Sequence, residues 1–574
     1  MKFSEMPYKR IVLEEYKEQA GKIFDNLKNA ETPDDAVKSF FDMQDLNEKS
    51  FSMSSISYIR HSIDTNDEFY DKENDYYDEV SPYFSEIGIE FNKELFNSRH
   101  REALEERLGS LMFENIELAL KTFKPEIIPD LQEENKLVSE YGKLLASAQI
   151  EFDGKVLSRS ELGAYKIDTD RDVRKNAYIA DAGFLNANKA QLDEIFDKLV
   201  KVRTKIAHTL GFENFVELGY CRMTRNSYNI HDIERFRNQV KEILVPVTSV
   251  LKEQQKKRLG LEDDFKLYDD GVLFKDGNAK PYGTPEEIME NGRKMYEELS
   301  SETSEFMNFM LDNELFDVLS RKGKMGGGYC AYIGIYKSPF IFANFNGTSG
   351  DIDVLTHEAG HAFAAYYSRD AEIASYRSPT AESCEIHSMA MEFFTWAWMD
   401  KFFRDRTAKY KYSNLAQALS FIPYGTIVDY FQHIIYEKPE LTPAQRCEEW
   451  GKLEKMFRPW IDAEDMPYYG ESRRWQTQMH IYEMPFYYID YCLAQTIALA
   501  FWSIMQSGED NSPESENFKD AWAKYMTVIK AGGAKKFTEL VETANMPNPF
   551  KEGSMSDMAA IVMKWIEQNE IQRK

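Results

Sequence analysis

The sequence predicts a mainly α-helical protein with two lobes and one small β-sheet that leads into a histidine-bearing motif. Three observations support this prediction. The chain has 574 residues, which is too many for one small core. Apolar residues recur at spacings of three and four along most of the chain, as on one face of a helix. In the middle of the chain, only residues 323–351 combine a glycine-rich loop with two β-like runs, "YCAYIGIY" and "PFIFANF".

The N-terminal part begins with two predicted helices. Apolar spacing indicates the first helix over residues 10–30, and Thr32-Pro33 suits the N-cap and first turn of the second. Farther on, the pattern changes to alternation around Asp153-Gly154, which is typical of a hairpin turn. These residues therefore predict a small β-hairpin between helical regions.

Helical periodicity resumes near residue 169 and continues to Gly211, which suits a helix C-cap. We place a soft division near residue 190, which separates a helical N-terminal lobe (1–190) from a larger lobe (191–574). The division depends on a change of organisation, because no linker is visible there. Residues 265–285 are rich in glycine, proline and aspartate and predict a loop with short strands.

The composition excludes some classes of function. The formal net charge is −27, so no nucleic-acid partner is expected, because phosphate binding needs a basic surface. Five scattered cysteines without a CxxC pair indicate free thiols in a reducing compartment. The first residues show no apolar signal segment, and the most apolar stretch, 489–505, is short for a membrane span and predicts a buried helix. We therefore expect a cytoplasmic protein that binds no membrane.

The stretch "VLTHEAGHAF" (354–363) predicts half of a metal site. Residues four apart on an α-helix are rotated by about 400°, so His357 and His361 project from nearly the same face. Glu358 lies next round the helix, where it can hold a water on the ion. Gly360 costs about 1 kcal/mol there relative to alanine, which indicates close packing or access for a substrate. The alternative is two ordinary histidines on an amphipathic helix.

A third ligand must come from elsewhere, because two histidines do not complete a zinc shell. The third histidine of the metzincins is absent from "HAFAAYYSR", and so is the glycine before it. A carboxylate from another helix is then expected, as in catalytic sites with two histidines and one glutamate. Residues 378–399 predict such a helix, and Glu382, Glu385 and Glu392 lie roughly on one face of it. Their spacing alone does not choose among them.

"HEAGHAF" followed by "AESCEIHSMAMEF" resembles the thimet oligopeptidase and oligoendopeptidase F family of zinc peptidases, most closely the Pz-peptidase-like bacterial oligopeptidases. The resemblance extends over "FANFNGTSGDIDVLTHEAGH" and "HIYEMPFYYIDYCLAQ", and so over most of residues 190–550. It implies one zinc ion per chain, held by His357, His361 and Glu385. Glu385 stands where the family has its third ligand, 28 residues after the first histidine and seven before another glutamate.

The resemblance also implies roles for residues beside the ligands. Glu358 is expected to be the general base that takes a proton from the metal-activated water. Glu382 and Glu392 become candidates to accept a hydrogen bond from a ligand imidazole. His387, two residues after Glu385, points away from it on a helix and is expected to be structural.

The segment "QMHIYEMPFYYIDYC" (478–492) resembles the family's substrate loop, which carries histidine and tyrosine. His480, Tyr488 and Tyr491 are therefore candidates to donate a hydrogen bond to the oxyanion of the substrate. The spacing does not decide which tyrosine makes this contact. In addition, the run "PFIFANFNGT" is interpreted as an edge strand that pairs with the peptide backbone, with a strand paired on both edges as the alternative.

As a whole, the resemblance implies a two-lobed helical zincin that encloses a deep substrate channel, with residues 191–574 as its catalytic lobe. The expected function is hydrolysis of internal bonds in short unfolded peptides. One alternative is a zinc carboxypeptidase or another exopeptidase with the same ligands. The other is a non-catalytic helical scaffold that binds peptides and holds a structural metal. The sequence does not predict the oligomeric state or the side-chain preference.

Overall fold

The computed structural model describes residues 1–570, most of which lie in helices. In chain order the helices are α1 (Leu13–Lys28), α2 (Pro33–Ile63), α3 (Glu68–Phe96), α4 (Arg101–Leu108), α5 (Ser110–Lys121), α6 (Ile128–Ala146), α7 (Arg159–Leu162), α8 (Arg171–Leu210), α9 (Phe215–Arg222), α10 (Ile230–Gln239), α11 (Val245–Leu259), α12 (Pro285–Leu299), α13 (Ser301–Asp312), α14 (Gly350–Ser368), α15 (Ala381–Phe394), α16 (Asp400–Phe403), α17 (Thr407–Glu437), α18 (Pro443–Phe457), α19 (Met479–Glu483), α20 (Tyr488–Gln506), α21 (Glu516–Ala531), α22 (Phe537–Thr543) and α23 (Ser556–Gln568). The fold is mainly α, as the sequence predicts.

Two small sheets are present in the described part of the chain. Their strands are β1 (Ile150–Phe152), β2 (Lys155–Leu157), β3 (Phe316–Leu319), β4 (Tyr329–Ile333) and β5 (Ser338–Phe345). β1 and β2 pair antiparallel around Asp153 and Gly154, whose φ angles of 51° and 70° suit the predicted tight turn. The second sheet has the order β3-β5-β4, in which β3 is parallel and β4 antiparallel to β5.

The interpretation of β5 as an edge strand is wrong. Ile341 in β5 is paired with Phe316 of β3 on one side and with Cys330 of β4 on the other. The backbone groups of β5 are therefore used within the sheet and do not pair with a peptide. The sequence does not predict β3, because its four residues are too few to show the period of a strand.

The described chain forms two compact units, each assembled from three separate segments. The first unit contains Met1–Lys121, Lys280–Thr407 and Gly508–Met546, and the second contains Thr122–Ala279, Ala408–Ser507 and the chain from Pro547 onward. The division into 1–190 and 191–574 stays a prediction about sequence organisation. Residue 190 itself lies inside α8, which is continuous there.

Several predicted helix ends are confirmed. Thr32 caps α2 by accepting a hydrogen bond from the Asp35 N–H, and Pro33 occupies the first helical position. Gly211 ends α8 with a φ of 97°, a left-handed conformation that glycine adopts without strain.

The short strands predicted within residues 265–285 are not found. The regular structure there is the 3-10 turn Leu267–Asp269, followed by loop up to the start of α12.

The apolar helix predicted over residues 489–505 is α20. In the described chain it is the one helix with the length and apolarity to cross a membrane. Of its 18-residue apolar stretch, 83% is buried inside the protein. Its polar residue Asp490 is fully buried and forms an ion pair with Arg225 (3.1 Å). The prediction of a buried helix is confirmed.

Candidate metal centre and catalytic residues

The helix α14 begins directly after β5, and a carboxylate in its first turn fixes the junction. The Asp351 side chain accepts hydrogen bonds from the backbone N–H groups of Asn346 (2.8 Å) and Gly347 (2.7 Å). A carboxylate at a helix N-terminus also interacts favourably with the helix dipole. The loop between sheet and helix is thus short and hydrogen-bonded, and α14 packs against β5.

His357 and His361 lie on the same face of α14, one turn apart. Their ring centroids are 5.1 Å apart, and the ring planes are inclined by 80°. Ala359, Ala362 and Phe363 on the other faces are fully buried. The helix is therefore anchored in the first unit by its apolar residues, while both imidazoles remain partly exposed.

The close packing of α15 against α14 depends on Gly360. A Cβ atom at this position would lie 2.5 Å from the carbonyl oxygen of His387 and 2.6 Å from the Cα of Ser388. Real side chains do not tolerate such distances to backbone atoms, so glycine permits the two helix backbones to approach. Of the two explanations that the sequence offers for Gly360, close packing is the one that the structure supports.

This packing brings Glu385 of α15 to the two histidines. Its Oε2 atom lies 3.4 Å from Nε2 of His357 and 3.5 Å from Nε2 of His361. The carboxylate is buried, and Oε2 also accepts a hydrogen bond from Ser388 Oγ (3.0 Å). Burial acts to raise the pKa of Glu385, but hydrogen bonds to both imidazoles and their charge outweigh it and lower the pKa.

The donor set of these three side chains fits a zinc ion. The donor atoms all lie within 4.8 Å of one another. Zinc–ligand distances of about 2.0–2.1 Å and tetrahedral angles place neighbouring donor atoms about 3.3 Å apart. The two distances from the Glu385 carboxylate are close to that value. Two imidazoles and one carboxylate are also the ligand types of catalytic zinc sites that keep a fourth position for water or substrate.

The other two candidate carboxylates of α15 have different partners. Glu392 Oε1 lies 2.8 Å from Nδ1 of His357, so the neutral form of this imidazole has its hydrogen on Nδ1 and its lone pair on Nε2. Glu382 accepts a hydrogen bond from Thr380 Oγ1 (2.9 Å) at the start of the helix. His387 is buried outside the three-residue group, and burial lowers its pKa to about 3. The spacing of the glutamates does not predict this division of contacts.

The charges around His357 favour a cation at this point. Burial acts to lower the pKa of His357, but its hydrogen bonds to Glu385 and Glu392 raise the pKa well above the usual value. The carboxylates therefore attract positive charge to the imidazole face. A divalent cation is one way to supply that charge, since metal ions compete with protons for the same nitrogen.

We expect the substitution Glu392→Ala to lower zinc affinity about 10- to 100-fold, because it removes the acceptor that orients His357. The substitution Glu392→Gln, which retains an acceptor oxygen but no charge, should have a smaller effect. Competition with a chromophoric chelator measures both affinities. The matched control is Glu106→Ala, since Glu106 is an exposed residue of α4. Unchanged zinc affinity in Glu392→Ala would show that this contact does not support the ligand.

Glu358 lies beside the three-residue group and not within it. Burial raises the pKa of its carboxyl, and the charges of His357 and His361 oppose this shift. Within residues 1–570 its carboxylate accepts no hydrogen bond from the protein, and so it has acceptor capacity for a water molecule. A half-buried carboxylate with a raised pKa is a better proton acceptor than an exposed one.

The three predicted residues of the 478–492 segment come together in the second unit. The His480 ring centroid lies 4.9 Å from that of Tyr488 and 6.1 Å from that of Tyr491. The two tyrosine centroids are 5.8 Å apart. His480 lies in α19 and the tyrosines lie in the first turn of α20, so the bend between these helices forms one aromatic cluster.

The residues that hold this bend are not evident from the sequence. Phe486 has a φ of 68°, which is strained for a residue with a side chain. Its N–H donates to Gln432 Oε1 (3.0 Å), and its carbonyl accepts a hydrogen bond from Arg225. Arg225 is buried and also pairs with Asp490 in α20. In the sequence, the one sign of such a buried partner is Asp490, the single charged residue in the apolar run 489–505.

The comparisons with known proteins agree with this architecture. Residues 3–123 match the model of the peptidase M3 N-terminal domain, and residues 164–560 match that of peptidase family M3. An "Oligoendopeptidase F homolog" of Borreliella burgdorferi is 26% identical over 436 residues, which cover 70% of this chain and 69% of that protein. The "Oligopeptidase PepF" of Bacillus subtilis is 23% identical over 513 residues, or 80% and 72% of the two chains.

A solved structure of Pz peptidase A with an inhibitor is also similar. It superimposes with a TM-score of 0.91 and 45% sequence identity, over 99% of this chain and 100% of that one. The helical fold, the small sheet and the histidine–glutamate group thus belong to a metallopeptidase. More specifically, the chain belongs to peptidase family M3 and is an oligoendopeptidase F-like peptidase.

Proposed function

We propose that this protein is a zinc-dependent oligoendopeptidase, which hydrolyses internal bonds of short unfolded peptides. The observation that carries the proposal is the group of His357, His361 and Glu385, whose donor atoms have the spacing of a catalytic zinc site. The relatives support the substrate class, since they are an oligoendopeptidase F homologue and an oligopeptidase.

In this proposal His357 and His361 bind one zinc ion through Nε2, and Glu385 binds it through a carboxylate oxygen. Glu392 holds His357 in the tautomer that presents Nε2. Zinc, when bound, supplies a Lewis acid that lowers the pKa of a water molecule and polarises the peptide carbonyl.

Glu358 acts as the general base and then as the general acid. Its carboxylate takes a proton from the attacking water, and the resulting carboxylic acid gives that proton to the leaving amine. The raised pKa of Glu358 suits both steps, because the group binds a proton more readily than an exposed glutamate and still releases it. The partly exposed helix face with the two imidazoles leaves this carboxylate accessible to water.

His480, Tyr488 and Tyr491 are proposed to donate hydrogen bonds to the oxyanion that develops on the peptide carbonyl. Burial lowers the pKa of His480, so its imidazole is neutral at pH 7. Burial also raises the pKa of Tyr488, whose phenol therefore keeps its hydrogen. Neutral donors of this kind stabilise the developing charge more than the uncharged ground state.

We also propose the charge of the substrates and the cellular location, and we weigh the non-catalytic alternative. The net charge of −27 favours neutral or cationic peptides as substrates and no nucleic acid as partner. A cytoplasmic location agrees with the free state of all five cysteines. A non-catalytic scaffold with a structural zinc would need a closed shell of four ligands, whereas the described group has three.

Quenched-fluorescent peptides that are blocked at both termini test the proposal. We expect the zinc-loaded enzyme to cleave them internally, chelation to remove the activity, and one equivalent of zinc to restore it. A peptide with free termini and the same internal sequence is the control for an exopeptidase. Cleavage of the free peptide alone would favour the exopeptidase, and activity that survives complete zinc removal would exclude the zinc mechanism.

A further inference from the structure

His480 has a hydrogen-bond partner on one side of its ring. Its Nδ1 atom lies 2.9 Å from the side-chain nitrogen of Gln478. Within residues 1–570, its Nε2 atom has no hydrogen-bond partner in the protein. A neutral imidazole carries its hydrogen on one nitrogen only, so the partner of Nδ1 decides whether Nε2 can donate.

The orientation of the Gln478 amide follows from Tyr424. The phenol of Tyr424 donates to Oε1 of Gln478 (2.8 Å), which leaves the amide nitrogen for His480. The opposite orientation would require Tyr424 to accept a hydrogen bond from the amide. The Arg474 guanidinium disfavours it, since its central carbon lies 4.8 Å from the centre of the Tyr424 ring. Burial raises the pKa of the Tyr424 phenol and the charge of Arg474 opposes this shift, so the phenol oxygen directs its lone pairs toward the guanidinium and its hydrogen toward Gln478.

These contacts form one directed chain, from Arg474 through Tyr424 and Gln478 to His480. Because an amide N–H donates to Nδ1, that nitrogen must keep its lone pair, and the hydrogen of the neutral ring lies on Nε2. Gln478 is itself fixed at the start of α19. Its N–H donates to the carbonyl of Trp475 (3.1 Å), and its carbonyl accepts from the Ile481 N–H (3.0 Å).

We propose that Gln478 is a positioning residue that holds His480 in the tautomer with hydrogen on Nε2, so that His480 can donate to a substrate oxygen. The proposal rests on the proposed function, in which His480 contacts the oxyanion. It assigns a task to three residues of the second unit that do not themselves touch the substrate in this scheme: Gln478, Tyr424 and Arg474.

The titratable groups around His480 are phenols. Tyr487, Tyr488 and Tyr491 face its ring from the start of α20 and the residue before it, with centroids 4.9–6.1 Å away. Burial alone lowers the pKa of His480, and no carboxylate contributes to the shift. In the wild-type protein the imidazole therefore remains neutral, and its tautomer is decided by the Gln478 amide.

The substitution Gln478→Glu tests the proposal, because it nearly conserves shape and replaces the N–H donor with a carboxylate. The carboxylate raises the pKa of His480 and accepts a hydrogen bond from Nδ1–H. Below the raised pKa the imidazolium still has a hydrogen on Nε2, and kcat should approach that of the wild type. Above it the remaining hydrogen lies on Nδ1, and kcat should fall about a hundredfold, the cost of losing one oxyanion donor.

The tautomer is measured directly by ¹⁵N NMR on protein with labelled histidine rings, with the His480 signals assigned from a His480→Gln variant. We expect hydrogen on Nε2 in the wild type and on Nδ1 in Gln478→Glu once its imidazolium is deprotonated. For the same variant, kcat is measured as a function of pH, up to the pH at which the imidazolium is deprotonated. Gln132→Glu, at an exposed position of α6, is the matched control and should reproduce the wild-type profile.

A wild-type signal with hydrogen on Nδ1 would overturn the proposal. So would a loss of kcat in Gln478→Glu that is equal at every pH, since a purely structural defect has that form. Unchanged kcat after the tautomer has switched would also overturn it. These results do not concern the zinc content of the wild type or its cleavage of blocked peptides. A failure of the Gln478 proposal is therefore distinguishable from a failure of the proposed function.

Discussion

Replacing Glu358 with glutamine is expected to reduce peptide hydrolysis by roughly 10²–10⁴-fold, while the protein keeps its zinc. Glutamine has nearly the same shape as glutamate but does not accept a proton at neutral pH. Glu358 is outside the group of three ligand candidates, so its replacement leaves the donor atoms of His357, His361 and Glu385 in place. The loss should therefore appear in kcat and not in metal content.

Zinc per chain and kcat on a blocked peptide are measured on the same preparation of Glu358→Gln. The control is Glu106→Gln, which makes the same chemical change on an exposed helix surface. Substantial hydrolysis by a zinc-loaded Glu358→Gln variant would show that another group is the base. Loss of zinc in this variant would show instead that Glu358 helps to hold the ion.

The second large effect is expected from Glu385→Ala, which should remove most of the bound zinc and with it the peptidase activity. The substitution deletes one of three ligands and leaves two histidines, a set that binds zinc weakly. Glu382→Ala is the matched comparison, because both glutamates are buried in α15. Glu382 contacts Thr380 at the helix start, so its loss should lower stability modestly and leave zinc content near one per chain.

Metal analysis after gel filtration in metal-free buffer compares the two variants, and thermal unfolding of both without zinc reports their folding. The predicted result is a large difference in zinc content without a matching difference in stability. If Glu382→Ala lost zinc and Glu385→Ala kept it, the third ligand would be Glu382. Equal loss in both variants together with unfolding would point to a shared structural role.

The sequence predicts one part of the metal centre by local geometry alone. Four residues make slightly more than one helical turn, so the spacing of His357 and His361 places both imidazoles on one face in any α-helix. Hydrophobic spacing likewise predicts α1, and Thr32-Pro33 predicts the start of α2. The apolar run 489–505 predicts α20, and turn chemistry predicts the hairpin at Asp153. These features depend on interactions between residues that are near each other in the chain.

The third ligand candidate could not be chosen in that way. Glu382, Glu385 and Glu392 share a helix face, and only resemblance to a family favours Glu385 at the level of sequence. In the structure, the contact of Gly360 with the backbone of α15 brings Glu385 to both Nε2 atoms and Glu392 to Nδ1 of His357. The choice is a matter of how two helices are packed, which no spacing within one helix encodes.

The same limit explains the errors and omissions. The central place of β5 depends on β3, a strand of four residues that becomes recognisable only when it is paired. The strained φ of Phe486 depends on Arg225 and Gln432, which are distant in the chain. By itself, then, the sequence determined the helices, the hairpin and the two-histidine face, because local backbone geometry produces them. The tertiary structure decided which carboxylates and amides meet those histidines, because such contacts arise only when separate elements pack together.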